Sequence, residues 1–176
     1  MRPEQYMPRT LFSRGVAKAR GSLRGVAKTW VLTGSLENFR ATRDHGFQVI
    51  GAKEGRRRMA ERIEPADRIV LYITGLQAFA GIIRVTGGMY EDRSQIWPGK
   101  PTGPDPYPWR FETAPEAVLE EDHFLPAVEI AQELEHVRKW PPQHWQLAFQ
   151  GQLRTVSDAD ARLLERRIRE HAGAPA

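Results

Sequence analysis

Apolar and β-branched residues dominate Lys28-Thr-Trp-Val-Leu-Thr33 and stop at Gly34 and Ser35, a pattern that predicts a buried strand running directly into a helix. Ser35 suits the N-cap, with Asn38 three residues on, and the helix is expected from about Leu36 to His45, closed by Gly46. Phe47 to Gly51 has strand character, and Lys53 to Arg62 is a strongly basic helical turn or loop. After the turn Ile63-Glu-Pro-Ala-Asp67, the run Arg68 to Thr74 is the most strand-like in the chain. The short link Gly75 to Gln77 joins it to Ala78 to Thr86, which predicts a central antiparallel hairpin. Ile69, Leu71 and Ile73 alternate with Val70, Tyr72 and Thr74, so one set should face the sheet's inner side and the other a pocket or a helix. Gly87 to Pro108 lacks any period yet holds Tyr90, Trp97 and Tyr107, and a segment of that length in a compact domain is expected to be functional. Trp109 to Leu119 reads as extended and Glu120 to His123 as a polar turn. Pro126 to Glu135 and Pro141 to Phe149 read as short helices with proline near their starts. Ser157-Asp-Ala-Asp160 opens a terminal helix to about Glu170, with Leu164 and Ile168 on one face. Short strands interleaved with short helices predict an α+β fold on a curved, partly closed mixed sheet.

Length and charge narrow this picture. A chain of 176 residues with 40% hydrophobic content can bury one ordinary core, which favours a single domain. Its longest apolar runs fall far short of the roughly 18 to 20 residues that cross a bilayer. The basic N-terminal residues precede no continuous apolar stretch, so a cytoplasmic protein without membrane contact is expected. The absence of cysteine fits a reducing compartment and removes thiolate nucleophiles, disulfides and cysteine-ligated zinc. Of the formal net charge of +4, residues 1 to 29 carry +6 and the remainder −2. Residues 1 to 27 are therefore read as a poorly ordered basic arm, suited either to phosphate contact or to a solubilising leader, ahead of a domain over residues 28 to 172. The repeated Arg14-Gly-Val-Ala-Lys18 and Arg24-Gly-Val-Ala-Lys28 are too short to build a solenoid.

The residue inventory gives catalysis no anchor. Histidines at 45, 123, 136, 144 and 171 lack the spacing that sets two imidazoles on one helix face, and they read as surface or capping groups. Glu120, Glu121 and Asp122 are neighbours on a polar turn and point apart. Neither a nucleophile elbow nor a phosphate-cradling glycine loop is present in the sequence. The expectation is a protein without enzymatic activity, metal or cofactor. Five tryptophans stand at 30, 97, 109, 140 and 145. Trp30 and Trp109, inside strand-like runs, are expected in the core. Trp97, in the long aperiodic segment, is expected to offer a face for stacking on a base, and its removal to affect binding rather than stability. Phe47 fits either a core position or a pocket wall.

Four segments taken in order, Trp30-Val-Leu-Thr-Gly-Ser-Leu-Glu-Asn38, Pro65-Ala-Asp-Arg-Ile-Val-Leu-Tyr-Ile-Thr74, Gly81-Ile-Ile-Arg-Val85, and Trp145 through Gln150-Gly-Gln-Leu153, resemble the EVE domain family. That family is PUA-like and related to the YTH readers of methylated adenine in RNA, and the resemblance runs over roughly residues 28 to 165. It implies a PUA-like pseudo-barrel with short flanking helices and a non-catalytic module that takes a modified or flipped base of a nucleic acid into an aromatic pocket, DNA ahead of RNA. Ser35 and Asn38 match a Ser-x-x-Asn after the first strand, where they also fit the capping role. Trp97 matches an aromatic wall, Phe47 stands near the position of a cage tryptophan in the YTH relatives, and Tyr72 and Thr74 end the strand that faces the pocket. Lys53, Arg56, Arg57, Arg58, Arg138 and Lys139 are candidates for phosphate contact. A module for a free nucleobase or another small planar ligand, and less so a nucleic-acid hydrolase, are the rival readings. Salt separates the first rival, because polynucleotide binding weakens steeply with ionic strength and a neutral ligand's does not.

Overall fold

The computed structural model describes residues 25–99 and 102–173. All but the last three residues of the expected basic arm therefore lie outside the described residues. The elements run β1 (Thr29–Gly34), α1 (Leu36–Asp44), β2 (Val49–Ala52), α2 (Arg57–Ala60), β3 (Arg68–Ile73), β4 (Ala78–Val85), β5 (Tyr90–Glu91), β6 (Trp109–Val118), β7 (Leu125–Pro126), β8 (Leu153–Thr155) and α3 (Asp158–Gly173). Single turns of 3-10 helix fill much of the stretch between β7 and β8.

The strands form one mixed sheet in the order β2-β6-β4-β3-β1-β8, with β5 added beside β6 and β7 beside β4. Among the described residues only β1 and β3 pair in parallel, Trp30 opposite Ile69 and Thr33 opposite Tyr72. The expected hairpin is present, with Arg68 opposite Arg84 and Ile73 opposite Ala78. Its strands are apolar without alternation because both faces are covered: Ile69 to Ile73 and Ala78 to Ile83 are all buried.

The sheet curls into a half-barrel flanked by short helices, the α+β architecture expected. Its bend has a local cause. The register slips between Leu71 and Tyr72 on one side of β4 and between Ile82 and Ile83 on the other, and extra residues of this kind sharpen strand curvature and twist. Gly81 sits between the slips at φ +150°, where a Cβ would come within 2.6 Å of the Ala117 carbonyl oxygen. Only glycine lets β6 approach so closely. On the outside, α3 lays Leu164 and Ile168, both fully buried, against the sheet. Burying each such side chain contributes about 1.5–3 kcal/mol. Its start is the expected one, with Ser157 Oγ accepting from the Asp160 N–H at 3.2 Å.

Two expected elements differ. Pro126 to Glu135 does not form a helix. Pro126 pairs with Ala78 as part of β7, and the Ala127 N–H donates to the Gln77 carbonyl rather than to a preceding helical turn. Only 3-10 turns at Ala127–Glu129 and Ala131–Glu133 follow. The proline that suggested a helix start instead ends a strand, and Ala127, Ile130, Ala131 and Leu134 are buried on the successive turns that follow. Pro142–Phe149 is likewise 3-10 and kinks at His144.

Three buried carboxylates tie the loops to this frame. Asp67 accepts from the Trp30 indole at 2.8 Å and from the backbone N–H groups of Lys28 and Glu64. Asp160 accepts from Glu135 and His136, and Asp105 from Ile96, Trp97 and Tyr107. Each satisfies several N–H groups that burial would otherwise leave unpaired.

Candidate functional site

The chain emerges from the sheet at the C-terminal ends of β1 and β3 and turns into α1. Ser35 caps that helix, its Oγ accepting from the Asn38 N–H at 3.2 Å. The cap fixes Asn38 on the first turn, facing the strand ends. Its side-chain amide donates to the Tyr107 hydroxyl at 2.7 Å; its remaining hydrogen-bonding capacity has no protein partner among the described residues.

Opposite Asn38 stands Trp97. The expectation that this residue sits apart from the packed interior is corrected here: Trp97 is only 3% exposed. Its indole N–H donates to the Thr42 hydroxyl at 2.9 Å, and its backbone N–H donates to Asp105. The fully buried Arg110 covers one face of the indole, its guanidinium carbon 5.3 Å from the ring centre. The same guanidinium pairs with Asp92 at 2.8 Å and also reaches the carbonyl of Ser94. Tyr107 meets Trp97 edge-on at 5.6 Å between ring centres. Asp105 and Arg110 thus make a rigid wall of the stretch between β5 and β6, whose described residues form no helix or strand. Neither was expected at the site, and neither carries a periodic signal in the sequence.

Asn38, Thr42, Trp97 and Tyr107 line a small, half-open cleft of about 40 Å3. Ser35, Asn38 and Trp97 come together there as expected, joined by Thr33, Gly34, Thr42, Tyr107 and Gln152, with Leu71, Ile73 and Phe39 as apolar lining. Gly51 closes another side: a Cβ there would lie 2.7 Å from Tyr107 Cβ and 2.8 Å from Trp97 Cζ3. Gln152, 7% exposed, is held rigidly, its Oε1 accepting from the Lys53 N–H at 2.7 Å and its Nε2 donating to the Gly51 carbonyl. Gln152 lies in the Gln150-Gly-Gln-Leu153 segment and Tyr107 beside the Pro-rich stretch, so the signal for both was present but pointed to no role.

The remaining expected residues separate. Tyr72 reaches the lining, but its ring stacks on Phe149 at 4.5 Å and meets Phe79 edge-on, in the layer shared with β4. Burial pushes its phenol up to about 12, so it stays protonated. Phe47 does not join the cleft; it is buried against Phe39, 5.5 Å between ring centres. Thr74 and Lys53 line a second, wider groove of about 570 Å3 that shares Thr33, Ser35, Asn38, Tyr107 and Gln152 with the cleft. Glu37 lines it too, its carboxyl held below the usual range by its own backbone N–H and the Ser35 hydroxyl. Arg56 stands beside that groove at Gly151. Arg57 lies over the Trp109 ring and pairs with Glu61, and Arg58 is exposed on α2. Arg138 and Lys139, on the turn Val137–Lys139, line neither space.

A curled sheet with a cleft at the β1–α1 junction, walled by Trp97 and Asn38, matches the order of segments noted in the sequence. The profile of the EVE domain matches residues 28–166. The chain belongs to the EVE family. No curated protein matches it. Among solved structures, this EVE domain is similar to a hypothetical protein from Leishmania major at 15% identity and a TM-score of 0.52, covering 82% of this chain and 96% of that one. It is similar as well to the YTH domain of the Zygosaccharomyces rouxii MRB1 protein in complex with N6-methyladenosine RNA, at 13% identity, TM-score 0.59, and 81% and 87% coverage. The Pho92 YTH domain in complex with m6A gives 12% identity, TM-score 0.60, and 84% and 87% coverage. At such identities the likeness establishes a common fold. No helix among the described residues is long and apolar enough to cross a membrane.

Proposed function

We propose that this EVE domain is a non-catalytic nucleic-acid-binding module that takes one modified or extruded base into the cleft between Trp97, Tyr107 and Asn38, with DNA as the favoured strand. The observation that carries this reading is the composition of the cleft. An indole and a phenol ring, the Asn38 and Gln152 amides and the hydroxyls of Thr33 and Ser35 surround an apolar floor, and among the described residues no Asp, Glu, His or Lys joins the lining. Flat rings with amide edges bind a planar heterocycle, each stacked base contributing about 1–3 kcal/mol. Burial holds the Tyr72 phenol protonated, so that group is not poised as a base near neutral pH. Membership of the EVE family and the modified-base ligands named for two YTH neighbours support the same reading. Extruding a base costs a few kcal/mol, least for one already unpaired or modified, and stacking with amide hydrogen bonds offsets that cost.

The test is fluorescence anisotropy with single- and double-stranded DNA and RNA oligonucleotides, each carrying one methylated, hydroxymethylated or thio-modified base. The expected result is preference for one modification, eroded by Asn38→Ala, together with steep weakening in salt. Binding of free nucleobases without salt dependence, and of no oligonucleotide, would overturn the reading in favour of a small planar ligand.

A further inference from the structure

We propose that Arg56 and Arg154 form a seat for one phosphate of the strand whose base enters the cleft, a proposal that rests on the base-binding reading for the source of that phosphate. The two side chains come from different elements, the turn Glu54–Arg56 and strand β8, yet converge on Gly151. A Cβ placed on Gly151 would lie 3.2 Å from Arg56 Nη2 and 3.4 Å from Arg154 Nη2, so the two guanidiniums stand no farther apart than those distances added together. No carboxylate among the described residues pairs with either. The Arg154 Nε donates to a neutral acceptor, the Gln150 carbonyl, at 2.7 Å. Several other surface arginines find acids: Arg40 and Arg43 share Glu121, Arg57 pairs with Glu61, and Arg93 with Glu54; Arg58 and Arg138 have no acid among the described residues either, but only Arg56 and Arg154 among these converge on one glycine beside the cleft. Two cations drawn together without a counter-ion repel each other, and an anion between them reverses the sign of that interaction.

Phosphate oxygens suit the site for reasons of shape as well as charge. Guanidinium forks donate paired hydrogen bonds to phosphate, which a lysine cannot match. Gly151 adds no side chain to the space, and at φ +85° it holds a conformation that other residues rarely adopt. The position relative to the cleft follows from the chain. Gly151 precedes Gln152, which lines the base cleft, and its carbonyl accepts from the Thr33 hydroxyl at 2.9 Å. Gly151 and Lys53 both line the groove that opens onto the cleft. At the α1 side of that groove stands the ionised Glu37, which repels phosphate. A strand is therefore drawn toward Gly151 and away from α1, which gives the groove a direction.

Arg56→Gln, Arg154→Gln and Arg154→Lys are compared with the parent by anisotropy of a short, mixed-sequence, fluorescein-labelled single-stranded DNA across a sodium chloride series. Arg84→Gln on β4 serves as a control of equal charge change, and thermal melts check that each variant is folded. Each glutamine variant should lower the slope of log K against log salt by about 0.7, the value for one phosphate contact on a single strand. Arg154→Lys should restore most of the slope, and Arg84→Gln should leave it unchanged. If the parent binds the oligonucleotide and both glutamine variants keep its slope, the phosphate seat is wrong and the base-binding reading survives. A parallel calorimetric titration uses inorganic phosphate alone. Phosphate binding that is lost in the variants, with no oligonucleotide binding by the parent, would keep the anion chemistry and overturn its nucleic-acid source. Binding of neither probe overturns the phosphate seat and leaves the base-binding reading to its own test with modified oligonucleotides.

Discussion

Truncating Trp97 should unfold the site before it reports on binding. The side chain is 3% exposed, donates a buried hydrogen bond to Thr42 at 2.9 Å, and is flanked by Arg110 and Tyr107. Replacing a buried tryptophan by alanine costs about 3–5 kcal/mol. For a domain of this size, about 2–4 °C of melting temperature is lost per kcal/mol, so Trp97→Ala should melt roughly 6–20 °C below the parent. Trp97→Phe keeps an aromatic face and forfeits chiefly the hydrogen bond to Thr42, worth about 1 kcal/mol, for a shift of a few degrees. Phenylalanine is therefore the informative variant for binding. Melts by circular dichroism, paired with anisotropy against the best oligonucleotide well below each melting point, separate the two effects. Trp97→Ala melting with the parent would refute the packing argument. Trp97→Ala and Trp97→Phe binding every oligonucleotide as the parent does, while folded, would remove the aromatic wall from the mechanism.

Gly51→Ala places a methyl 2.7 Å from Tyr107 Cβ and 2.8 Å from Trp97 Cζ3; overpacking of this kind costs about 1–3 kcal/mol, and denaturant melts should register it together with weaker base binding. Asp67→Ala leaves the buried Trp30 indole N–H without its acceptor, a loss of about 1–3 kcal/mol for that donor. Because Asp67 lies at the end of the β1–β3 pair away from the cleft, urea unfolding should change while discrimination between bases does not. Glu121 is held down to about 2 from the usual 4.5, first by the hydrogen bond from Arg40 and then by Arg43. Its folded-state value is depressed, so its contribution is full above 4.5 and is lost as pH falls toward about 2. The difference in melting temperature between the parent and Glu121→Gln should be constant near neutrality and close over that acid range; a difference that persisted at the acid end would exclude the pair as its source.

What the sequence disclosed and what it withheld divide along physical lines. Ser35, the start of α1, the hairpin of β3 and β4 and the start of α3 rest on interactions within a few residues, or on apolar runs whose period names the element, and all were legible. Trp97 was expected beside a pocket, and it does line the cleft, but it was misread as unpacked, because the segment from Gly87 to Pro108 has no period to reveal burial. Its order comes instead from Asp105, which collects three backbone N–H groups, and from Arg110, whose fully buried guanidinium spans Asp92, Ser94 and the indole. In a sequence these read as ordinary surface charges, since the burial that makes them structural is conferred by elements distant along the chain. The same reasoning explains Phe47 and Tyr72, which sit near the cleft in sequence order but turn their rings into neighbouring layers. It explains Arg154 as well, a single cation within a short strand, whose meaning appears only when Arg56 arrives from the far side of the sheet at the same glycine. A charge acquires a function here from the company it keeps in space, so the arginines worth substituting first are those that folding leaves without an acid, and Arg56 and Arg154 meet that criterion beside the cleft.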